Sequence, residues 1–338
     1  MDKTVSEGLA KVMVPDVKKP EDGIVFYNPE MEFDRDISVA FLKSFSPKRV
    51  LDGFGASGIR GIRYSLECGS EATINDANPK CVEAIKENLK LNNANANVTN
   101  DDVNLSLRKQ KFDFIDIDPF GTPAPFFDSS SQAFRKQGYA AFTATDTAVL
   151  CGVYTNVSLR RYGVPSERGY LAKELGLRIL ITGIISSFAR NDLSFVPMVS
   201  YSKRHYFRVY GRVERGSDKA DSAIESLNER NGYRIFLGTL NPNAGKVASE
   251  IEKLKFKKST KEKEFLESIG NEIDTPFFHD IEPLTKEMPR IDNVVENLQK
   301  QGFSASRTHF LPTGLKTDAN ISEIQKAIKA CRTGSCRT

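Results

Sequence analysis

Short apolar runs alternate with amphipathic stretches through the first two thirds of the chain. KRVLDGF (48–54), EATIND (71–76), NVTNDD (97–102), FDFIDID (112–118) and GYAAFTAT (138–145) read as strands. They are brief and mostly apolar, as strands covered on both faces should be. IRGIRYSLEC follows the first and NPKCVEAIKENLKLNN the second, both with helical spacing. This alternation predicts a doubly wound parallel sheet behind an N-terminal segment of about forty residues that carries no local signal of its own. A long apolar helix, YLAKELGLRILITGIISSFAR (170–190), then leads to SFVPMVSYS and HYFRVYGRV. Only a few residues separate those two runs, so they join as an antiparallel hairpin. The linker VERGSDKADS places a boundary near residue 215. Beyond it RIFLGTL and SASRTHF read as strands among charged helices. The expected organisation is one domain over 1–215 and a smaller α/β domain over 216–338.

Composition narrows the class. The 338 residues suffice for two cores, and 39 % apolar against 27 % charged positions, without a long uninterrupted apolar stretch, predict a soluble globular protein with no membrane span. The N-terminus lacks the apolar core of a secretion signal, and the five cysteines have no paired spacing. Both suit a reducing, cytoplasmic setting, with a monomer favoured. Charge is unevenly spread: residues 151–215 hold 11 Lys/Arg and 4 Asp/Glu, against near balance on either side. Such an excess fits an anionic partner such as nucleic acid, or a solvated surface.

Two stretches carry candidate chemistry. In LDGFGASGIRG (51–61), Gly53, Gly55 and Gly58 lie between a strand and a helix, where glycines permit a tight turn and a helix start offers N–H groups to a ligand. Asp76 ends the second strand, placed to accept hydrogen bonds from ribose hydroxyls. Asp102 and Val103 end the third, where an acid can receive an adenine amine. Arg60, with Arg63 one turn on, is suited to a carboxylate. NAD and S-adenosylmethionine (SAM) both carry a ribose and adenine, so these residues leave the cofactor open.

The second stretch is FDFIDIDPFGTPAPF (112–126). Pro119 stops the strand at Asp118, and Gly121, Pro123 and Pro125 hold the following loop in a rigid path. An acid, a proline and an aromatic at a strand end suit chemistry on an exocyclic aromatic amine. The carboxylate orients the amine and takes its proton, the proline carbonyl accepts a second N–H, and the ring stacks on the base. Asp116 has no assigned part. The antiparallel closing hairpin resembles that of SAM-dependent methyltransferases, whose Rossmann-like sheet ends this way.

The chain as a whole resembles the tRNA (guanine-26 N2) dimethyltransferase family. The resemblance rests on VFYNPEMEFDRDIS (25–38), DGFGASGIRGIRY (52–64), NDANPKCVEAIKEN (75–88), DIDPFGTPAPF (116–126), TATDTAVLCG (143–152), GYLAKELGLRIL (169–180) and SRTHFLPTGLKTD (306–318). It implies transfer of one or two methyl groups from SAM to a guanine N2 amine in tRNA, with the base flipped out of its stack. It also implies SAM contacts at Arg35, Gly55, Arg60, Asp76, Asp102 and Val103. The implied catalytic pocket is Asp118, Pro119 and Phe120, with Phe26 as a second wall. Two features depart from the family. Asp34 stands where an asparagine is expected, and residues 152–330 lack cysteine. The four-cysteine zinc site of some members is therefore not expected, since Cys331 and Cys336 supply at most two ligands.

For tRNA contact, HYFRVYGRV places Tyr206, Arg208, Tyr210 and Arg212 on one strand face, which reads as an RNA-contacting surface or an amphipathic sheet edge. KLKFKKSTKEK (253–263) reads as a solvated helix. The alternatives are a SAM-dependent enzyme acting on another nucleic-acid base and a noncatalytic RNA-binding protein.

Overall fold

The computed structural model describes residues 2–254 and 256–332. From Asp2 onward the N-terminal segment forms regular elements. Strands β1 (Asp2–Glu7) and β2 (Ala10–Pro15) form an antiparallel hairpin that turns at Gly8, whose φ is +51°. Along β2, Ala10, Val12 and Val14 point inward and pack on Ile59, Ile62, Ile74 and Ile85. The Asn88 amide completes the seat: its Oδ1 accepts the Met13 N–H at 2.7 Å and its Nδ2 donates to the Met13 carbonyl at 3.2 Å. Helix α1 (Glu32–Phe45) follows, with Phe33 through Leu42 all buried.

The expected alternation then unfolds as β3 (Arg49–Asp52), α2 (Ile59–Cys68), β4 (Glu71–Asn75), α3 (Pro79–Leu91), β5 (Asn97–Thr99), α4 (Val103–Lys109), β6 (Phe114–Ile117), α5 (Phe127–Gln132) and β7 (Gln137–Ala144). Helices α6 (Thr147–Leu150), α7 (Thr155–Tyr162) and α8 (Ala172–Ala189) lead to β8 (Leu193–Lys203) and β9 (Tyr206–Arg215). The seven strands order as β5-β4-β3-β6-β7-β9-β8, the first five parallel and β9 antiparallel to both neighbours. The expected doubly wound sheet with an antiparallel close is therefore present. β5 is shorter than its apolar run because the Asp102 side chain accepts the Asn104 N–H and starts α4 there.

One strand assignment needs correction. β9 is inserted between β7 and β8, so HYFRVYGRV is neither an edge nor an exposed face, and the edge is β8. Tyr206, Arg208 and Tyr210 are buried, and of that face only Arg212 reaches solvent, its side chain 49 % exposed. Period-two alternation reveals which residues share a face, not what covers it. Here α1 covers it: Phe41 stacks on Tyr210 at 4.7 Å, and the Ser38 and Tyr210 hydroxyls lie 2.7 Å apart.

After β9 come α9 (Ser217–Glu225), β10 (Leu227–Arg230), β11 (Tyr233–Phe236), α10 (Ala244–Leu254) and α11 (Ser259–Gly270). Their apolar faces lie on the first unit. Leu227, Ile235 and Phe236 join the cluster around α8, while Val247, Ile251 and Leu266 join that around α1. The charged run at the start of α11 is not simply solvated, because Glu262 is fully buried. The remaining segments are β12 (His279–Asp280), α12 (Ile291–Lys300), β13 (Ala305–Arg307), β14 (Gly314–Thr317) and α13 (Ile321–Arg332). They close a separate core of Ile281, Val294, Leu298, Leu315, Ile324 and Ile328 around a three-stranded sheet. A buried polar contact ties this part to β8. His309 Nε2 accepts the Ser202 N–H at 3.2 Å, which leaves Nδ1 to donate to Glu272 at 2.6 Å.

Candidate active site

The loop from β3 to α2 is shaped by two glycines for different reasons. A Cβ on Gly55 would stand 2.5 Å from Ile74 Cγ2, and Gly58 has φ +80°, a conformation side chains disfavour. Asp76, just past β4, holds this loop: its Oδ2 accepts the Ala56 N–H and its Oδ1 the Asn78 N–H, both at 2.8 Å. No side chain caps the start of α2. Above the loop opens a cavity of about 610 Å³, a size ordinary for a cofactor site. Phe26, Arg35, Gly55, Arg60, Asp76, Asp118, Pro119 and Phe120 all border it. Asp102 and Val103 do not: Asp102 caps α4, and Val103 is buried behind Gly53.

The loop after β6, residues 118–125, is latched at its far end. The Gly121 carbonyl accepts N–H groups of Thr145 at 2.8 Å and Asp146 at 3.2 Å, while Thr122 Oγ1 lies 2.7 Å from the Tyr162 hydroxyl. The TDT segment after β7 therefore shapes this loop. Phe120 is 79 % exposed, and its only aromatic neighbour among the described residues is Phe26, edge to face at 4.8 Å. The two rings stand together at the rim of the cavity.

Beneath the cavity lies a buried charge cluster. Asp116, at the end of β6, is fully buried and receives two hydrogen bonds from Arg208, at 2.8 and 2.7 Å, and one from the Tyr64 hydroxyl at 2.6 Å. Its alternation with Ile115 and Ile117 thus serves the cluster, a part the sequence left blank. Arg60 donates to Asp34 at 3.1 Å, to Ser38 at 2.8 Å and to Asp118 at 2.5 Å. Asp34 also accepts from Tyr201 at 2.7 Å. Burial alone would raise the Asp116 carboxyl, but Arg208 and Arg60 hold it below its ordinary value. For Asp118, burial wins over the pull of Arg60 and Arg208, and the carboxyl is raised.

Arg35 faces the cavity from α1 and is fixed by Glu7, which accepts from its Nε at 2.7 Å and its Nη2 at 2.5 Å. Tyr27 adds a hydrogen bond to Glu7 at 2.7 Å. Glu7, Ser38 and Tyr64 were not singled out by the sequence reading, which set Arg208 on a candidate RNA-contacting face and not in this cluster. Glu7 lies 28 positions from Arg35, Ser38 22 from Arg60 and Arg208 92 from Asp116, which leaves no local pattern to link them. Among the described residues no cluster of three His, Cys, Asp or Glu could hold a metal ion; Cys336 lies outside the described residues.

The parallel sheet with an antiparallel penultimate strand, and a glycine loop and acid-proline-aromatic loop meeting at one cavity, define a Rossmann-like methyltransferase fold. The profile of the N2,N2-dimethylguanosine tRNA methyltransferase family matches residues 8–230 and 235–329, and the chain belongs to that family. It is 36 % identical to the tRNA (guanine(26)-N(2))-dimethyltransferase of Methanosarcina acetivorans, over 97 % of this chain and 98 % of that one. It is 35 % identical to the enzyme of the same name from Thermococcus kodakarensis, over 96 % and 98 %. Its fold superposes on Trm1 from Pyrococcus horikoshii, solved with S-adenosyl-L-methionine, with a TM-score of 0.89 at 33 % identity, covering 96 % of this chain and 99 % of that one.

Proposed function

We propose that this chain is a SAM-dependent tRNA methyltransferase that methylates the exocyclic N2 amine of guanine 26, working in the cytoplasm. The observation that carries this reading is the Asp118-Pro119-Phe120 loop opening into the same cavity as the glycine loop and Asp76. The residues that line the cavity fit the cofactor: Asp76 would engage the ribose and Gly55 would let the ligand approach the backbone, whereas Asp102 and Val103, expected to border the adenine, lie outside the cavity. Arg35 and Arg60 would bound the end that receives the amino-acid carboxylate. SAM supplies an electrophilic methyl group on a sulfonium sulfur.

The chain's own work is on the amine. The lone pair of a guanine N2 is delocalised into the ring, so the group is a weak nucleophile until held and relieved of a proton. Arg60 fixes Asp118 through Oδ2, and no described residue hydrogen-bonds to Oδ1, which is left for the amine. The raised carboxyl makes Asp118 a stronger base than an ordinary aspartate. It accepts the proton lost as the nitrogen bonds to the methyl carbon. The Pro119 carbonyl takes a second N–H, and Phe120 and Phe26 hold the flipped base by its faces and edge. Residues 216–338 grip the tRNA away from the chemistry.

Asp118→Ala tests the assignment. Methyl transfer to an unmodified tRNA transcript should fall at least ~100-fold, the usual worth of a positioned base, with SAM affinity in calorimetry within a few-fold of wild type. Turnover close to wild type would remove Asp118 from its role.

A further inference from the structure

With most of β9 buried, part of the basic excess of residues 151–215 is displayed elsewhere. Arg160, Arg161, Arg168 and Lys173 are exposed on helix α7 and the segment after it, which adjoin the 118–125 loop. Helix α7 turns Ser158 and Tyr162 inward, and the Tyr162 hydroxyl meets Thr122 of the catalytic loop and the Asp146 carboxylate. Its opposite side, ending in Arg160, is exposed. Tyr154, just before the helix, is 57 % exposed, and beyond it Arg168, Tyr170 and Lys173 also reach solvent. The lone carboxylate between residues 151 and 173, Glu167, is already neutralised by Arg230 at 2.7 Å. Tyr170 is 52 % exposed and meets Phe278 edge to face at 5.8 Å, so the surface continues from the cavity mouth onto the C-terminal part.

Net positive charge with two exposed tyrosines, bordering the mouth through which a flipped base must enter, complements an RNA strand: cations for phosphates, rings for stacking. We propose that residues 153–173, through Tyr154, Arg160, Arg168, Tyr170 and Lys173, form the surface on which the tRNA backbone flanking the target guanine lies. This rests on the tRNA reading above. The surface is held to the catalytic loop by the Thr122–Tyr162–Asp146 contacts, so a docked strand and the reacting base share one rigid frame.

The test is Arg160→Glu/Lys173→Glu, assayed with unmodified tRNA transcript. The dissociation constant for tRNA should weaken at least ~10-fold, and the slope of log affinity against log salt should become shallower by roughly one per lost phosphate contact. SAM affinity and kcat at saturating tRNA should stay within about twofold, which also reports that the variant is folded. Tyr154→Ala should weaken binding by roughly 5-fold or more with the salt slope unchanged, as loss of stacking predicts. Lys86→Glu/Lys90→Glu makes the same charge change on the exposed face of α3 and should bind as wild type does. A first variant with wild-type affinity and slope, or an equal loss from the α3 variant, overturns the proposal. Wild-type protein that transfers no methyl group to tRNA would instead overturn the function on which it rests.

Discussion

Arg208→Met removes the cation at the bottom of the buried charge cluster beneath the cavity while keeping much of its volume. Arg208 is fully buried and donates twice to Asp116 and once, at 2.7 Å, to Thr143 Oγ1. Without it the buried Asp116 carboxylate keeps only the Tyr64 hydroxyl at 2.6 Å and Arg60 at 3.4 Å. Breaking one side of a buried ion pair costs about 3–5 kcal/mol, because the remaining charge is stranded away from water. For a chain of 338 residues, with an unfolding entropy of about 2.1 cal/mol/K per residue, that corresponds to a Tm lower by roughly 4–7 °C. Adding Asp116→Asn removes the stranded charge and should recover about half of the loss. The change reaches catalysis too. Burial raises the Asp118 carboxyl and Arg208 opposes that rise, so losing Arg208 leaves it higher. A base whose pKa goes up is protonated over more of the acid range, so the acid limb of the pH–rate profile should move to higher pH. Thermal melts of both variants and the pH profile of kcat provide the test. A single variant that loses less than about 1 kcal/mol, or a double variant no better than the single, would refute the reasoning.

Two further substitutions separate site from scaffold. Phe120→Ala removes an exposed ring, so Tm should hold within about 1 °C, a surface change costing little. Its kcat/KM for tRNA should fall by roughly 5- to 150-fold, the worth of one base stack of about 1–3 kcal/mol; a value within twofold of wild type would exclude stacking. Glu262→Gln probes the contact between α11 and α1. Asp36 and Glu262 are both buried and their carboxyls are paired with each other, while Arg63 Nη1 lies 2.6 Å from Asp36. Burial, with the adjacent Asp36, pushes the Glu262 carboxyl up to about 9 from its ordinary 4.5. The folded protein thus keeps a proton that the unfolded chain releases, and stability is lost as pH rises from about 4.5 to about 9. Glu262→Gln should flatten the decline in Tm between pH 6 and 9; an unchanged slope would place the titration elsewhere.

The sheet was legible because its strands are bounded by Gly, Asp and Pro, and because the apolar runs match the length of strands buried on both faces. The hairpin β8–β9 followed from the short gap between two runs. The N-terminal hairpin was not legible: Lys11 and Met13 alternate with Val12 and Val14 over only a few positions, and its seat is made by Asn88, far along the chain. The cavity residues Asp76, Asp118 and Phe120 were readable because they sit at strand ends beside glycine and proline. Arg208 was misread and Asp116 left unassigned for a shared reason. A charged residue in a strand reads as surface unless its partner is known, and these two are partners across 92 positions. Glu7, which fixes Arg35, lies 28 residues before it and shows no pattern at all.

The central claim is that Asp118 presents the N2 amine of guanine 26 for methylation. The most direct measurement is incubation of the wild-type protein with unmodified tRNA transcript and isotopically labelled SAM, followed by nuclease digestion and mass mapping of the labelled nucleotide. The account predicts label on N2 of guanine 26, lost when that guanine is replaced by adenine. Label on another base, or on a ring nitrogen of the same guanine, would contradict it.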